Sequence, residues 1–479
     1  MKSYKVKIVI FSFLLLAGCS DFLDLKPISN SSIAGFYNSQ NDFENAIIGA
    51  YSSLRAGGTF NDDVQLVGDL RSDNTEMGTT ASDRFNYNDM ARFQMNVDNK
   101  ISPSIWDGNY KGITRVNEIL ERIDGLKEAP ESFRDLIEGE ARFLRAVFYF
   151  NLVRVFGDVP LVSQVLKTIE EGYEIGRTDR KEVYDLIVDD LEIASAKLPL
   201  KPVQTGRATS GAAKSLLGKV YLTIHENEKA ASVLREVIQS NEYSLLSDYE
   251  DLWKVDNKNN NEIIFAVQFE RASSNGTGSR FLERYSPYLY PHLGYYSTAG
   301  GYNIPTENLI EAFEPDDLRK DASINESYID PNGNEVTGLQ GRFQNKFTDV
   351  PIQGQGSNDN FPVIRYADVL LSYAEALNEI GFESGGEAFD YLNLIRSRAG
   401  LPDLSVNSKE EFREAVLHER RVEFAFEGHR WFDLIRMGKA IEIIKENKGI
   451  DINENKFVLP IPQEQIDINP EKIKQNPGY

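Results

Sequence analysis

Two stretches of the chain concentrate side chains suited to holding a small, hydroxyl-rich ligand. Residues 69–89, DLRSDNTEMGTTASDRFNYND, supply Asp73, Asn74, Asp83, Arg84, Phe85 and Tyr87. Residues 280–303, RFLERYSPYLYPHLGYYSTAGGYN, supply Tyr285, Tyr288, Tyr290, Tyr295, Tyr296 and Tyr302, with His292 and Asn303. A flat ring covers an apolar C–H face, while carboxylate, amide and guanidinium groups pair with hydroxyls around its edge. These residue types offer recognition by stacking and hydrogen bonding. The bland alternative is that the tyrosines cover a protein interface or pack an insertion.

Reactive chemistry finds little support. GAAKSLLGKV (211–220) resembles a phosphate loop, but six residues separate its glycines and Val220 stands where Ser or Thr must meet magnesium. Asp330, Asn332 and Asn334 alternate like the first ligands of a calcium loop, yet position six is Glu335 and position twelve is Gly341. His418 and His429 lie eleven residues apart, which is no zinc-gripping pair on one helical face. With 74 acidic residues, carboxylate pairs for glycoside hydrolysis can be found anywhere, and few strands are present to mount them in a barrel cleft. ERRVEFAFEGHRWFDLIR (419–436) mixes both charges at helical spacing, which suits ion pairs that lock helices together, with Trp431 and Phe432 in the core. No metal, cofactor or catalytic residue is expected.

A formal charge of −22 argues against nucleic acid and anionic membrane surfaces as partners. The amino terminus does address a membrane in another way. Lys2, Lys5 and Lys7 precede an apolar run, Ile8 to Ala17, that is too short to span a bilayer and reads as a signal peptide. Cys19 follows immediately and is the only cysteine, so it cannot form an intramolecular disulfide. Leu16-Ala17-Gly18-Cys19 resembles a bacterial lipobox, in which cleavage before the cysteine exposes it to acylation. The expected organisation is a signal peptide over 1–18, a lipidated tether over 19–35 and a single domain over 36–479.

The elements that must position the two stretches are amphipathic helices. Ile137, Ala141, Leu144, Phe148, Leu152 and Val155 step by three or four, as do Val183, Ile187, Leu191, Ala194 and Leu198. The segment 206–224 carries Thr209 or Ser210 as its cap and Gly211, Ala212, Ala213 and Gly218 as points of close helix approach, and it pairs with 228–240. Residues 365–380 and 386–401 form another pair, and 410–444 a further one. Ala213, Leu217, Gly218 and Tyr221, then Ala230 to Val237, sit where tetratricopeptide repeats carry such residues, though the units are unevenly spaced. The predicted class is mainly α: tetratricopeptide-like helical pairs with long irregular insertions near 57–104 and 271–362, a strand over 262–269 and a hairpin around Asn332-Gly333.

CSDFLDLKP, GEARFLRAVFYFNLVRVFGDVPLV, GRATSGAAKSLLGKVYL, NEIIFAVQF, RYADVLLSYAEALNE, LNLIRSRAGL, ERRVEFAFEGHRWFDLIR and LPIPQEQIDINPEKIKQNPGY, in order from Cys19 to Tyr479, together resemble the SusD/RagB family of outer-membrane lipoproteins. The resemblance implies a tetratricopeptide-like fold and a lipid-anchored place on the outer membrane, facing the exterior. It also implies an oligosaccharide or other nutrient ligand that is bound and not cleaved. The implied partner is a SusC-like TonB-dependent transporter, on which such a protein acts as a lid. By the family's division of labour, ligand contacts fall to Asp73, Asn74, Arg84, Phe85 and Tyr87 in the early stretch and to Tyr288, Tyr290, Tyr295, Tyr296 and Tyr302 in the later one. Neither stretch has the tryptophan that family members often use as a platform, and Trp106 heads a separate expected helix, WDGNYKGITRVNEIL. A surface glycoside hydrolase and a binder of a non-sugar nutrient such as peptide are the alternatives.

Overall fold

The computed structural model of the chain describes residues 36–78, 84–271 and 277–479. The expected signal peptide, Cys19 with its tether, and Asp83 lie outside them.

Helices begin where side-chain oxygens can satisfy the first free backbone N–H groups. α1, Gln40–Ser52, opens on a reciprocal capping box between Ser39 and Asp42. α2, Asp63–Leu70, and α3, Phe85–Ala91, precede two long helices, α4 over Ile101–Arg122 and α5 over Glu131–Phe156. α5 stops at Gly157, whose φ of 73° a side chain would resist. α6, Arg180–Lys197, is capped by Asp179, and α7, Ser210–Thr223, by Thr209, which accepts from the Ala212 N–H at 3.1 Å. α8, Asn227–Gln239, α9, Tyr366–Ile380, α10, Glu387–Arg398, and α11, Lys409–Glu423, continue the scaffold, followed by α12, Arg430–Arg436, and α13, Ala440–Lys448.

Each long helix packs on the next: α4 on α5, α5 on α6, α6 on α7, α7 on α8, α8 on α9, and α9 on both α10 and α11. The apolar faces expected on α5 and α6 are buried, from Ile137 to Val155 and from Val183 to Leu198. A Cβ at Gly218 would collide with Leu234 of α8, so this glycine sets how closely α7 and α8 approach. The mainly helical scaffold of paired helices is the one the residue spacing predicts. Strands are short. Ile263–Val267 pairs antiparallel with Phe361–Arg365, and Tyr328–Ile329 pairs with Glu335–Val336 across the expected hairpin. There Asp330 Oδ1 accepts from the backbone N–H of Asn332 and of Asn334, both at 2.8 Å, and Gly333 takes a φ of 85°. The spaced Asp and Asn residues thus close a turn.

The charged motif at 419–436 is scaffold. Arg365 bonds Glu262, Glu423 and Glu427, Arg398 bonds Glu262 and Glu423, and Arg319 bonds Asp317, Glu419 and Glu423. Burial alone would raise the Glu423 carboxyl, but Arg398, Arg365, Arg319 and Lys346 outweigh it and hold the group well below the usual range. Trp431 and Phe432 are in the core.

Four expectations need correction. The stretch 57–104 contains α2 and α3 as well as the start of α4; α2 and α3 are only eight and seven residues long, too short to show a repeating period, and in α2 the polar Asp63, Gln65 and Asp69 are buried with the rest. The stretch 271–362 holds three short helices, Phe281–Tyr285, Glu307–Ala312 and Arg319–Ser323. Residues 410–444 form three helices instead of a pair, since Phe426 and Gly428 take left-handed φ values of 67° and 73°, and Gly438 does so again at 71°. Trp106 lies inside α4 and does not head it.

Candidate functional site

The two polar and aromatic stretches, far apart in sequence, meet. Thr75 and Glu76 pair antiparallel with Pro305 and Ile304, and the Gly78 N–H donates to Gly301 O at 2.9 Å. The Thr306 hydroxyl donates to the Asp73 carbonyl at 2.7 Å. Above this seam, α3 lies against residues 284–302. The Tyr87 and Tyr302 rings meet edge-on at 4.9 Å and 89°. The Arg284 guanidinium sits 4.1 Å from the Tyr302 ring centre and 5.3 Å from that of Tyr87, and it pairs with Asp62. Arg84 stacks 5.0 Å over Tyr288 and 5.3 Å over Tyr302. Tyr87 donates its hydroxyl to Asp63 Oδ1 at 2.8 Å, and burial first, then the Asp62 and Asp63 carboxylates, push its pKa far up.

Beneath the seam lies a buried polar layer. Asp73 is paired with Arg430 at 2.9 Å and Arg421 at 3.0 Å. Burial opposes its ionisation, but those two guanidiniums prevail and lower the carboxyl to about 2. Asn74 accepts from Arg421 Nε at 2.9 Å. Asp69 accepts from Asn303 Nδ2 at 3.0 Å and from the Gly428 N–H at 3.2 Å, with no cation paired to it among the described residues, and burial pushes it up to about 7.

The ten expected ligand contacts therefore divide. Asp73 and Asn74 are both fully buried; Asp73 pairs with Arg421 and Arg430 and Asn74 accepts from Arg421, so they fasten the early stretch to α11 and α12. Tyr302 is buried, and Arg84, also buried, is stacked on rings. Tyr87 is half-buried against Tyr302 and Asp63. Tyr290 packs edge-on against Tyr328 and beside Phe343, in a small cluster with Leu282 and Leu293. What stays at the surface is Phe85, 55% exposed, and Tyr296, 79% exposed, with Tyr288 and Tyr295 half-covered. The Tyr295 hydroxyl is pushed up to about 12 by burial and by the neighbouring Glu283. Leu289, exposed between Tyr288 and Tyr290, holds a left-handed φ of 59°, a conformation that branched side chains resist and that is kept where the surrounding structure enforces it. All three tryptophans, Trp106, Trp253 and Trp431, are buried.

Sequence reasoning missed Asp62, Asp63 and Arg284 as the supports of this surface. The signal was available only as Arg284 one residue before Tyr285, since its partners come from α2 and its cap, a helix without a readable period. A cavity of about 830 Å³ lies elsewhere, between α5, α6, α7 and α12, and none of the exposed rings lines it. Among the described residues no cluster of His, Cys, Asp and Glu could hold a metal ion, and no helix is long and apolar enough to cross a membrane.

Comparison with known proteins is consistent from end to end. Residues 319–479 match the SusD family, and residues 21–222 match a family described as starch-binding and associating with the outer membrane. SusD-like protein P2 of Formosa agariphila is 27% identical over 516 residues, covering all of both chains. The starch-binding protein SusD of Bacteroides thetaiotaomicron is 25% identical, over 77% of this chain and 76% of its own. Among solved structures, a laminarin-binding SusD-like protein superposes with a TM-score of 0.79 at 31% identity, over 92% of this chain and 99% of that one. With a helical-pair scaffold throughout and sequence similarity from the first helices to the last residues, the chain belongs to the SusD/RagB family.

Proposed function

We propose that this protein is a cell-surface glycan-binding lipoprotein, acylated at Cys19, that captures oligosaccharide on an aromatic platform and passes it to a SusC-like TonB-dependent transporter. Phe85, Tyr288, Tyr295 and Tyr296 form the platform. The observation that carries this reading is the union of the two stretches into one surface, on which Phe85 and Tyr296 are exposed while the rings beneath them are held by Arg84 and Arg284. A ring that packs nothing and rests on a rigid support is prepared to stack on a sugar face at little entropic cost. The starch- and laminarin-binding relatives support a glucose polymer as the first ligand to try. The protein binds and does not hydrolyse: the buried carboxylates near the platform, Asp62, Asp63, Asp69 and Asp73, are each bonded to a protein donor.

A lipid-tethered binder cannot move its ligand, so it needs a channel, and confinement beside that channel raises effective concentration enough for modest affinity to feed uptake. As a lid, the protein would close its irregular face over the barrel. The test is a binding assay on the mature chain with laminarin and starch, together with mild detergent extraction from native cells. Retardation or heat of binding without new reducing ends, and recovery with a TonB-dependent barrel, are the expected results. Turnover that survives purification and vanishes with a single carboxylate substitution would overturn the binding role; recovery alone, from cells expressing the neighbouring barrel, would overturn the lid.

A further inference from the structure

The cavity between α5, α6, α7 and α12 has a charge pattern that the platform does not explain. In its floor, Lys219 pairs with Asp368 at 2.9 Å, Arg420 with Asp368 at 2.8 Å and with Asp433 at 2.9 Å, and Arg436 with Asp433 at 3.0 Å and with Glu375. Three cations and three carboxylates cancel. His429 adds no charge: burial and the adjacent Lys219, whose Nζ lies 3.1 Å from its Nδ1, hold it neutral. At the mouth, Lys181 pairs with Asp185 and Lys229 with Glu226, and Asp189 faces solvent.

Arg154 is left over. It lines the cavity from α5, partly buried, its guanidinium between two rings at 3.9 Å from the Phe150 centre and 4.2 Å from that of Phe432. Its Nε donates to the Phe150 carbonyl one turn back at 3.0 Å, and its Nη2 donates to Asn151 Oδ1 at 3.3 Å. Among the described residues no carboxylate lies within ion-pairing distance of it, and Nη1 has no partner. In a chain with a formal charge of −22, this is a partly buried cation held rigidly by two rings, with Asp433 and Asp368 near enough to act on it through space but no carboxylate in contact with it. Phe60, Val64, Val147 and Phe361 give the same cavity apolar walls, and its volume of about 830 Å³ is that of a ligand site.

We propose that this cavity binds a small organic carboxylate, with the carboxylate on Arg154 and the remainder of the molecule against the apolar walls. A carboxylate supplies the missing contact ion pair and a planar match to the guanidinium edge. The site is separate from the glycan platform and does not depend on it. The carboxylate can belong to an apolar acid or to an acidic sugar, and two probes separate these: benzoate and glucuronate, each at constant ionic strength against matched sodium chloride.

With the mature chain at saturating probe, the thermal midpoint is expected to rise by about 1–2 °C for at least one of them. Titration calorimetry should show one site per chain. A response to benzoate alone assigns an apolar acid, to glucuronate alone an acidic sugar; if both bind, they must compete. Arg154→Gln should abolish the response, while Tyr296→Ala, on the platform, should leave it intact. Should Arg154→Gln fail to fold, stoichiometry and competition on the unaltered protein carry the test. The proposal is overturned if neither probe raises the midpoint above the chloride control, if binding is multiple and non-competing, or if Arg154→Gln responds like the parent.

Discussion

The Tyr87 ring meets the Tyr302 ring edge-on, 4.9 Å between centres, with Arg284 lying against both. One ring comes from α3 and the other from the loop before the Ile304–Pro305 strand, so this contact ties the two polar and aromatic stretches into one body. Phe85 and Tyr296 stand on that body, 55% and 79% exposed.

On the proposed platform, Phe85→Ala and Tyr296→Ala should therefore each weaken glycan binding by roughly 2- to 13-fold, the worth of one aromatic stacking contact of about 0.5–1.5 kcal/mol. Unfolding free energy should move by no more than about 0.5 kcal/mol, as for other exposed positions. Tyr302→Ala should instead cost about 3 kcal/mol in urea unfolding, because it empties a buried site under Arg84 and Arg284. Unchanged glycan affinity in the double variant of Phe85 and Tyr296 would remove the platform.

Asp73 is shared by Arg421 and Arg430, and Asp73→Ala leaves both guanidiniums buried without a carboxylate. A loss of about 3–5 kcal/mol is expected in urea unfolding, the usual effect of breaking a buried pair from one side. Since this carboxyl is lowered to about 2 when folded, its contribution is fully present above the ordinary value near 4 and is lost as pH falls through 2. The parent should lose more stability than Asp73→Ala over that acid range.

Asp69 behaves in the opposite sense. Raised by burial to about 7, the folded protein binds this proton more tightly than the unfolded chain does, so stability falls as pH climbs from about 4 through 7. Asp69→Asn should flatten that slope and be more stable than the parent at pH 8. The geometry allows it: Asn303 Oδ1 has no partner among the described residues, so a rotated Asn303 amide can accept from the amide introduced at position 69. Thermal midpoints of both proteins between pH 5 and 8 test this; parallel slopes would refute it.

Cys19→Ala should release the protein from membranes or leave it as unprocessed precursor, with no incorporation of labelled fatty acid. Fractionation of cells expressing either form reads the outcome. An unaltered membrane fraction together with an unlabelled parent would eliminate the tether.

Much of the scaffold was legible because it is written in period. α5 and α6 carry one apolar face each, Thr209 announces α7, and Gly218 marks where α8 comes close. α2 was not legible, since it is only eight residues long and its polar Asp63, Gln65 and Asp69 are buried like its apolar residues. At the candidate site, residue type picked out two stretches that the fold brings together, but not which of their side chains stay exposed. Asp73 and Phe85 look equally suited to a ligand in sequence; only the folded chain shows Arg421 and Arg430 closing on the first while the second stays 55% exposed. Specificity of that kind depends on contacts between distant segments, and local pattern does not record them.

The burial of every tryptophan has a spectroscopic consequence. Trp431 lies near Phe93 and under the Arg71 guanidinium, Trp253 beneath Lys346, and Trp106 against Phe156, each in surroundings that only unfolding would disrupt. Indole emission from this protein should thus report denaturation and change little if sugar binds at the proposed platform. Three of the four proposed platform rings are phenols, so a change of near-ultraviolet dichroism in the tyrosine band without a change of indole emission is the expected signature of ligand capture, whereas unfolding changes both.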